Sequence, residues 1–253
     1  LCLAVDEARG ARVLWFGDWA EGDVAPQAAP VARQRWGARL DDAPLTTLVP
    51  GAGGGWPVAP ALEYLREDGR WRFEADRVAA SPDEPGSLCV TQADGAAGLT
   101  LETQFRLDPE DGSLCVATTL VNDGADGLEL RWLSVLALPL PHWCAEVIET
   151  RGDWCAEFQR EVRPLGAASW LRESREGRSS HRAHPGVLLA ETGLDARRGR
   201  VLGVQFAWSG DHRMRIDELP DGSRVLQVGV LLHPGELRLA PGPYALVEVQ
   251  DEG

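Results

Sequence analysis

The strongest constraint on the fold is a period-two alternation of apolar and polar residues along most of the chain. Residues 70–75, 99–105 and 214–217 alternate in this way, which is typical of half-buried β-strands. Helical periodicity is scarce, and the best helix candidate, residues 155–162, is short. The pattern predicts an all-β fold with few short helices.

Turn signals recur between the alternating runs, at residues 67–69, 109–112, 122–124, 220–222 and 241–242. Each includes a glycine that tolerates positive φ, so each is predicted to close an antiparallel hairpin. Roughly 14 or more strands are expected, and antiparallel sheets of that size form two-sheet sandwiches or barrels. We predict a sandwich.

Residues 25–60 contain six prolines and are predicted to be loops that cover an edge of the sandwich. No linker rich in Pro, Gly or Ser divides the chain, so residues 1–253 are predicted to form a single domain.

Charge and composition exclude several partners. The formal net charge of −14 repels phosphate backbones and argues against nucleic acid. The longest apolar run, residues 133–140, falls short of the ~20 residues that span a bilayer. The five cysteines never approach C-x-x-C spacing, so we interpret them as buried thiols in a reducing, cytoplasmic compartment. No metal or cofactor is predicted.

A glycine cluster at residues 51–56 is the first candidate site. A phosphate-binding loop requires Gly-Lys-Ser/Thr at this point, whereas Trp56 and Pro57 follow here, so phosphate binding is excluded. Two hypotheses remain: a flexible surface loop, or a mobile loop whose tip presents Trp56 to a ligand or a neighbouring subunit.

The second candidate is the Ser- and His-containing run of residues 177–185. Ser180 and His181 are adjacent, and neighbours on a strand point to opposite faces, so they are poorly placed as nucleophile and base. No third metal ligand accompanies His181 and His184. We interpret the run as a structural loop that satisfies buried backbone groups.

Ten tryptophans are compatible with stacking on sugar rings, although most are expected in the core. Glycosidases need two carboxylates about 5–10 Å apart, and 39 acidic residues offer too many candidates. Asp153, Glu157 and Asp211 stand beside aromatic residues, and we interpret each as a turn or surface acid.

Several segments together resemble one family. Residues 152–158 are similar to "G-x-W-x-x-E", 173–181 to "E-S-R-x-G-R-T/S-S-H", 201–212 to "G-x-x-x-x-Y/W-S-G-N-H/F", and 237–242 to an "L-x-P-G" ending. In this order they resemble the N-terminal region of the bacterial α-galactosidases of glycoside hydrolase family 36. The resemblance runs from Arg12 onwards and assigns Arg178, Ser180, His181 and Trp208 to a structural motif.

The resemblance implies an antiparallel two-sheet supersandwich that precedes a (β/α)8 catalytic barrel. In that family both catalytic aspartates lie in the barrel, the nucleophile in a Lys-Trp-Asp motif, and this chain contains no Lys and ends at Gly253. We therefore expect a non-catalytic N-terminal domain without catalytic residues, the barrel being absent. Its full-length form would hydrolyse terminal α-D-galactosides with retention, and its partners would be its own C-terminal barrel, further copies in a homo-oligomer, and an oligosaccharide substrate.

The glycine cluster departs from the family pattern. Many members have "Y-G-T-G-D-F-R" where this chain has residues 52–58, in a loop thought to reach a neighbouring protomer's substrate. The missing Asp and Arg put polar sugar contacts in doubt, while Trp56 could stack instead, so Gly54, Gly55 and Trp56 are the expected substrate-binding residues.

Two alternatives stay open. The tryptophans and the acidic surface are compatible with a stand-alone carbohydrate-binding module. An aldose-epimerase-like enzyme would instead need His142, His181 or His212 to face a carboxylate across a concave sheet.

Overall fold

The computed structural model describes residues 2–6, 10–15, 46–53, 55–180, 182–195 and 197–250. These form seventeen β-strands and no α-helix, which confirms the all-β prediction. In chain order the strands are β1 (Cys2–Asp6), β2 (Gly10–Trp15), β3 (Leu62–Arg66), β4 (Arg77–Pro82), β5 (Ser87–Asp94), β6 (Leu99–Leu107), β7 (Leu114–Asn122), β8 (Leu128–Leu140), β9 (Glu146–Asp153), β10 (Ala156–Pro164), β11 (Trp170–Ser174), β12 (Gly186–Ala190), β13 (Val201–Phe206), β14 (His212–Glu218), β15 (Arg224–Leu231), β16 (Leu237–Leu239) and β17 (Gly242–Gln250).

The strands form two large antiparallel sheets and one small hairpin, in agreement with the predicted two-sheet sandwich. The nine-stranded sheet has the order β10-β9-β12-β13-β17-β7-β6-β5-β4. The six-stranded sheet has the order β11-β14-β15-β8-β16, with β3 also paired to β8. Strands β1 and β2 pair only with each other among the described residues.

The core lies between the two large sheets. Leu101 and Phe105 of β6 and Leu120 of β7 belong to the same buried cluster as Leu130 of β8 and Val228 of β15. The residues that alternate with these point away from the cluster, as expected for sheets with one face on the core. Burial of these apolar side chains stabilises the fold by about 25 cal/mol per Å² removed from water.

The predicted turns have two different outcomes. Residues 109–112 and 220–222 close the β6–β7 and β14–β15 hairpins, where Gly112 and Gly222 have φ of 77° and 82°. The hairpin prediction is wrong for residues 122–124, 241–242 and 67–69, because in each case the strands before and after the turn lie in different large sheets.

The first of these crossings is held by side-chain hydrogen bonds. The amide of Asn122 donates to Asp126 O (2.9 Å), and buried Arg66 donates to Asn122 Oδ1 (2.8 Å) and Asp126 O (2.9 Å). Such bonds give the chain an alternative to strand pairing. The turn therefore redirects the chain into the second sheet.

The helix candidate at residues 155–162 is also wrong. Residues 156–164 form edge strand β10, in which Val162 pairs with Ile148 of β9. Seven of its nine residues are exposed and the other two are half-buried, so both faces meet solvent and the sequence lacks a clear period of two. A bulge near Phe158, which has φ of 55°, disturbs the pattern further.

The predicted loop region is described from residue 46 onwards. Its described part contains no strand before β3 and lies along β8, where Ala137 N donates to Leu48 O (2.6 Å) and Ser134 N to Ala61 O (2.7 Å). A β-carbon at Gly51 would lie 2.0 Å from Phe73 O, so only glycine permits this close approach. Residues 25–45 lie outside the described part of the chain.

Candidate functional site

Three segments that carried the family resemblance meet at one end of the sandwich. They are the β9–β10 turn, the loop between β11 and β12, and the loop between β13 and β14. Strands β11 and β14 are hydrogen-bonded neighbours, with Ser174 opposite His212. This register brings the loop that follows β11 beside the loop that precedes β14.

Two hydrogen bonds join these two loops. Ser179 N donates to Ser209 O (2.6 Å), and Gly177 N donates to Asp211 Oδ1 (2.7 Å). We call these four residues the motif junction. Asp211 is only 9% exposed, and a carboxylate that accepts from a backbone N–H makes a stronger bond than a neutral acceptor. The junction therefore fixes the relative positions of two segments that are distant in sequence.

The β9–β10 turn and the start of β10 contact the loop between β11 and β12. Arg182 Nε donates to Asp153 Oδ1 (2.9 Å) between two exposed side chains. The rings of Phe158 and His184 meet edge to face with centroids 5.8 Å apart. At the tip, Trp154 is 84% exposed.

A buried charged layer lies under this end of the sandwich. Arg172 of β11 donates to Thr150 O (2.6 Å), and its Nη1 lies 3.6 Å from Oε2 of fully buried Glu149 in β9. Arg163 of β10 lies 3.2 Å from the other oxygen of Glu149. Burial lowers the pKa of Arg172, partly offset by the charge of Glu149. The layer links the two sheets where apolar packing is interrupted.

Sequence reasoning missed both Arg172 and Glu149. A signal for Arg172 exists, because β11 alternates Trp170, Arg172 and Ser174 on its buried face. An arginine in such a position needs buried acceptors. Glu149 carries no comparable signal, since it is one of 39 acidic residues.

The residues of the predicted structural motif are chain neighbours of the motif junction and are not themselves part of it. The carbonyl of exposed Arg178 accepts a hydrogen bond from Ser174 Oγ (3.1 Å). Ser180 forms an isolated bridge with Ala183, and its Oγ accepts from Arg182 N (3.3 Å). The indole of Trp208 is 39% exposed and lies against Gly210. His181 lies outside the described residues.

The predicted sugar-binding loop lies on the six-stranded sheet. Gly54 is outside the described residues, and Gly55 is exposed with φ of 74°. Trp56 is half-buried, its Nε1 donates to Ala59 O (2.9 Å), and its ring packs with Val58 on a small cluster of Ala137, Leu219 and Val225. Part of the indole thus anchors the loop, and the rest is accessible.

The acids singled out in the sequence differ in burial. Asp153 and Glu157 are exposed, as interpreted, whereas Asp211 is buried in the motif junction, so its assignment as a surface acid is wrong. Its burial follows from its role as acceptor for Gly177 N. The interpretation of the cysteines as buried thiols holds for Cys144 alone among the described side chains, because Cys89 and Cys115 are half-buried and Cys155 is exposed.

The buried carboxylates of the described residues all serve structural contacts. Glu149 pairs with arginines, Asp217 pairs with Arg215 and accepts from Ser169, and Asp94 accepts from two backbone N–H groups. Asp211 completes this set. Among the residues that the structure describes, no group of three or more His, Cys, Asp or Glu could hold a metal ion. The same part of the chain contains no helix long and apolar enough to cross a membrane.

His212 bears on the epimerase alternative. Its side chain is fully buried, its Nδ1 lies 3.2 Å from Gly210 O, and its ring packs near Phe206. Burial lowers its pKa. This imidazole contacts a backbone carbonyl and an aromatic ring, which is the environment of a core histidine.

Comparison with known proteins gives the family. Residues 10–240 match the model of the glycosyl hydrolase family 36 N-terminal domain. The chain belongs to this family. The recognition made from the motifs is therefore confirmed, and the match covers nearly the whole described structure.

Relatives of this family 36 domain are longer proteins. It is 31% identical to an α-galactosidase of Escherichia coli over 90% of this chain and 32% of that protein. It is 25% identical to the probable α-galactosidase G of Aspergillus terreus over 95% of this chain and 35% of that protein. The chain thus spans about a third of the length of these curated relatives.

Solved structures agree with the fold. The family 36 α-galactosidase AgaA of Geobacillus stearothermophilus superposes with a TM-score of 0.83 at 21% identity, over 99% of this chain and 38% of that one. The galactosidase domain of the α-galactosidase-sucrose kinase AgaSK superposes with a TM-score of 0.85 at 21% identity, again over 99% and 38%.

Proposed function

We propose that this chain is the non-catalytic N-terminal β-sandwich domain of an α-galactosidase, whose longer polypeptide hydrolyses terminal α-D-galactosides with retention. In that polypeptide the domain supports the catalytic barrel. The observation that carries the proposal is the family match over residues 10–240, combined with relatives about three times longer.

The buried acids support a non-catalytic role. A retaining glycosidase needs one carboxylate as nucleophile and a second as acid and base, with access to the substrate. In the described residues, Glu149 and Asp217 are bound by arginines, while Asp94 and Asp211 accept backbone N–H bonds. Each of these carboxylates is engaged in holding the fold.

An activity comparison tests the proposal. The 253-residue chain and the polypeptide that includes the downstream reading frame are assayed on an aryl α-galactoside. Turnover is expected from the longer polypeptide alone, with the α-anomer of galactose as the first product by NMR. Robust turnover by the 253-residue chain would overturn the proposal.

We also propose that Gly54, Gly55 and Trp56 contact an oligosaccharide substrate across a homo-oligomer. The accessible part of the Trp56 indole supports this, since aromatic faces stack on sugars. In the active longer polypeptide, Trp56→Phe should retain KM while Trp56→Ala raises it several-fold. An unchanged KM for Trp56→Ala, with unchanged stability, would contradict the contact.

We place the protein in the cytoplasm. The thiols of Cys89, Cys115, Cys144 and Cys155 are free, which fits a reducing compartment. Fractionation of the native host tests this, and recovery in a secreted fraction would overturn it.

A carbohydrate-binding module remains a second candidate because one observation favours it. The indole of Trp154 is 84% exposed at the tip of the β9–β10 turn, as a stacking platform would be. Calorimetry of the 253-residue chain with galactose and raffinose separates the two functions. A binding module gives heat without any partner, and a purely supporting domain gives none.

A further inference from the structure

The outer face of the nine-stranded sheet is polar in one half and apolar in the other. In β6 the residues that point away from the core are Glu102, Gln104 and Arg106, and all three are exposed. This half of the sheet follows the usual pattern of an antiparallel sheet that is solvated on one face.

The half formed by β10, β9, β12 and β13 breaks that pattern. Val162, Ile148 and Leu188 are directly opposite one another across three adjacent strands and therefore share one face. Their chain neighbours Val147 and Leu189 belong to the core cluster, so this row faces outwards. Val162 is 44% exposed and Leu188 45% exposed.

Two further side chains extend the row. Val201 pairs with Ala190, which lies two residues after Leu188 on β12. Val201 therefore points to the same face as Leu188, and it is 49% exposed. Phe158 is 64% exposed and its ring contacts His184. His184 lies against Gly186 on the side of the sheet to which Leu188 also points, so Phe158 adjoins the same face. We call Phe158, Val162, Ile148, Leu188 and Val201 the outer apolar face.

Ile148, in the middle of this row, is almost inaccessible to solvent. It is 6% exposed, yet it does not belong to the core cluster, and its opposite neighbours Val162 and Leu188 on the same face are apolar. Contiguous apolar surface of this kind marks an interaction site. Scattered single hydrophobic residues would need no such explanation.

We propose that the outer apolar face is the docking surface for the polypeptide that follows this domain in the α-galactosidase. The inference rests on the proposed function and adds where the two parts meet. The family domain is N-terminal, and this chain covers 38% of the AgaA chain, so most of such a protein lies after it.

The course of β17 directs the following polypeptide to this face. Near its end, Val249 pairs with Phe206 and Gln250 with Gln205 of β13. The two strands are antiparallel, so a chain continuing in this direction runs along β13 towards Val201. Strand β17 lies between β13 and β7, so the chain leaves the sheet beside β13 of the apolar half and is separated from β6 of the polar half by β7.

Cysteine labelling in the longer polypeptide tests the docking. Leu188→Cys places a thiol on the outer apolar face, and Gln104→Cys places a matched thiol on the polar half of the same sheet. Maleimide labelling is measured peptide by peptide by mass spectrometry, so native cysteines do not interfere. We expect labelling at position 188 to be at least tenfold slower than at position 104, and the two rates to converge in urea.

Comparable native rates at the two positions would overturn the proposal. Protection at position 188 that disappears on dilution would assign the face to a second copy of the chain, and it would overturn the proposal as well. The aryl α-galactoside assay on the same samples is a separate readout. Protection without galactosidase activity would refute the proposed function and leave the docking surface in place.

Discussion

Asp211→Ala removes the acceptor that holds the motif junction. The lost bond joins Gly177 N to Asp211 Oδ1 at 2.7 Å, and hydrogen bonds to charged groups contribute about 1.5–3 kcal/mol. Because Gly177 is exposed, water can replace the acceptor, which places the expected loss near the lower end, about 1.5–2 kcal/mol. His233 Nε2 lies 3.7 Å from Asp211, and the His233 side chain is half-exposed. This contact therefore adds less than about 1 kcal/mol.

Asp211→Asn is the matched control, because the amide oxygen still accepts from Gly177 N. Its expected cost is less than about 1 kcal/mol, the difference between a charged and a neutral acceptor. Urea denaturation followed by tryptophan fluorescence measures both variants, and hydrogen exchange at residues 177–179 reports the junction directly. Equal stability of the two variants, with unchanged exchange at Gly177, would refute the role assigned to Asp211.

Three further predictions concern the described residues. Arg66→Met removes four hydrogen bonds of a buried guanidinium, including the one to Asn122 Oδ1, and should cost about 3–5 kcal/mol in urea denaturation; a loss below about 1 kcal/mol would contradict the network. Burial lowers the pKa of His212 below its ordinary 6.5, so the unfolded chain takes up the proton first and stability is lost as pH falls from about 6.5 towards the lower folded-state pKa. The urea midpoint should drop over that range, less so in His212→Gln, and a flat midpoint would count against it. Cys155 is exposed, whereas burial raises the pKa of Cys144 to about 12, so a maleimide should label Cys155 in the folded protein at least tenfold faster than Cys144, and equal rates would argue against the burial.

The alternation predicted strands correctly at residues 99–105 and 214–217, which lie in β6 and β14, and wrongly at residues 70–75, which lie between β3 and β4 and form no strand. In β6 burial alternates from Leu99 to Arg106, because core and solvent impose opposite requirements on successive residues. Prediction failed at β10, which is exposed on both faces and therefore carries no alternation. It also failed at the turn after β7, because Asn122 and Gly124 suit a tight turn whether the next strand joins the same sheet or the other one.

The candidate site was only partly accessible to such reasoning. Motif resemblance identified the segments around Gly177 and Trp208, but the contacts between them follow from the β11–β14 register, which a single sequence does not specify. The pairing of Arg172 with Glu149 crosses between sheets and depends on their packing. Long-range contacts of this kind become visible only once the strand order is known.

The motif junction is held by backbone groups and by one side chain, that of Asp211. Gly177 and Ser179 hold the junction through their backbone N–H groups, and Arg178 contributes its carbonyl oxygen. Gly177 needs its positive φ of 72°, and the side chain of Asp211 must supply an acceptor oxygen. The side chain of Arg178 and much of the Trp208 indole face solvent instead. Because the sandwich positions these two side chains without using them for its own core, alanine substitution of either one should change the stability of this chain little.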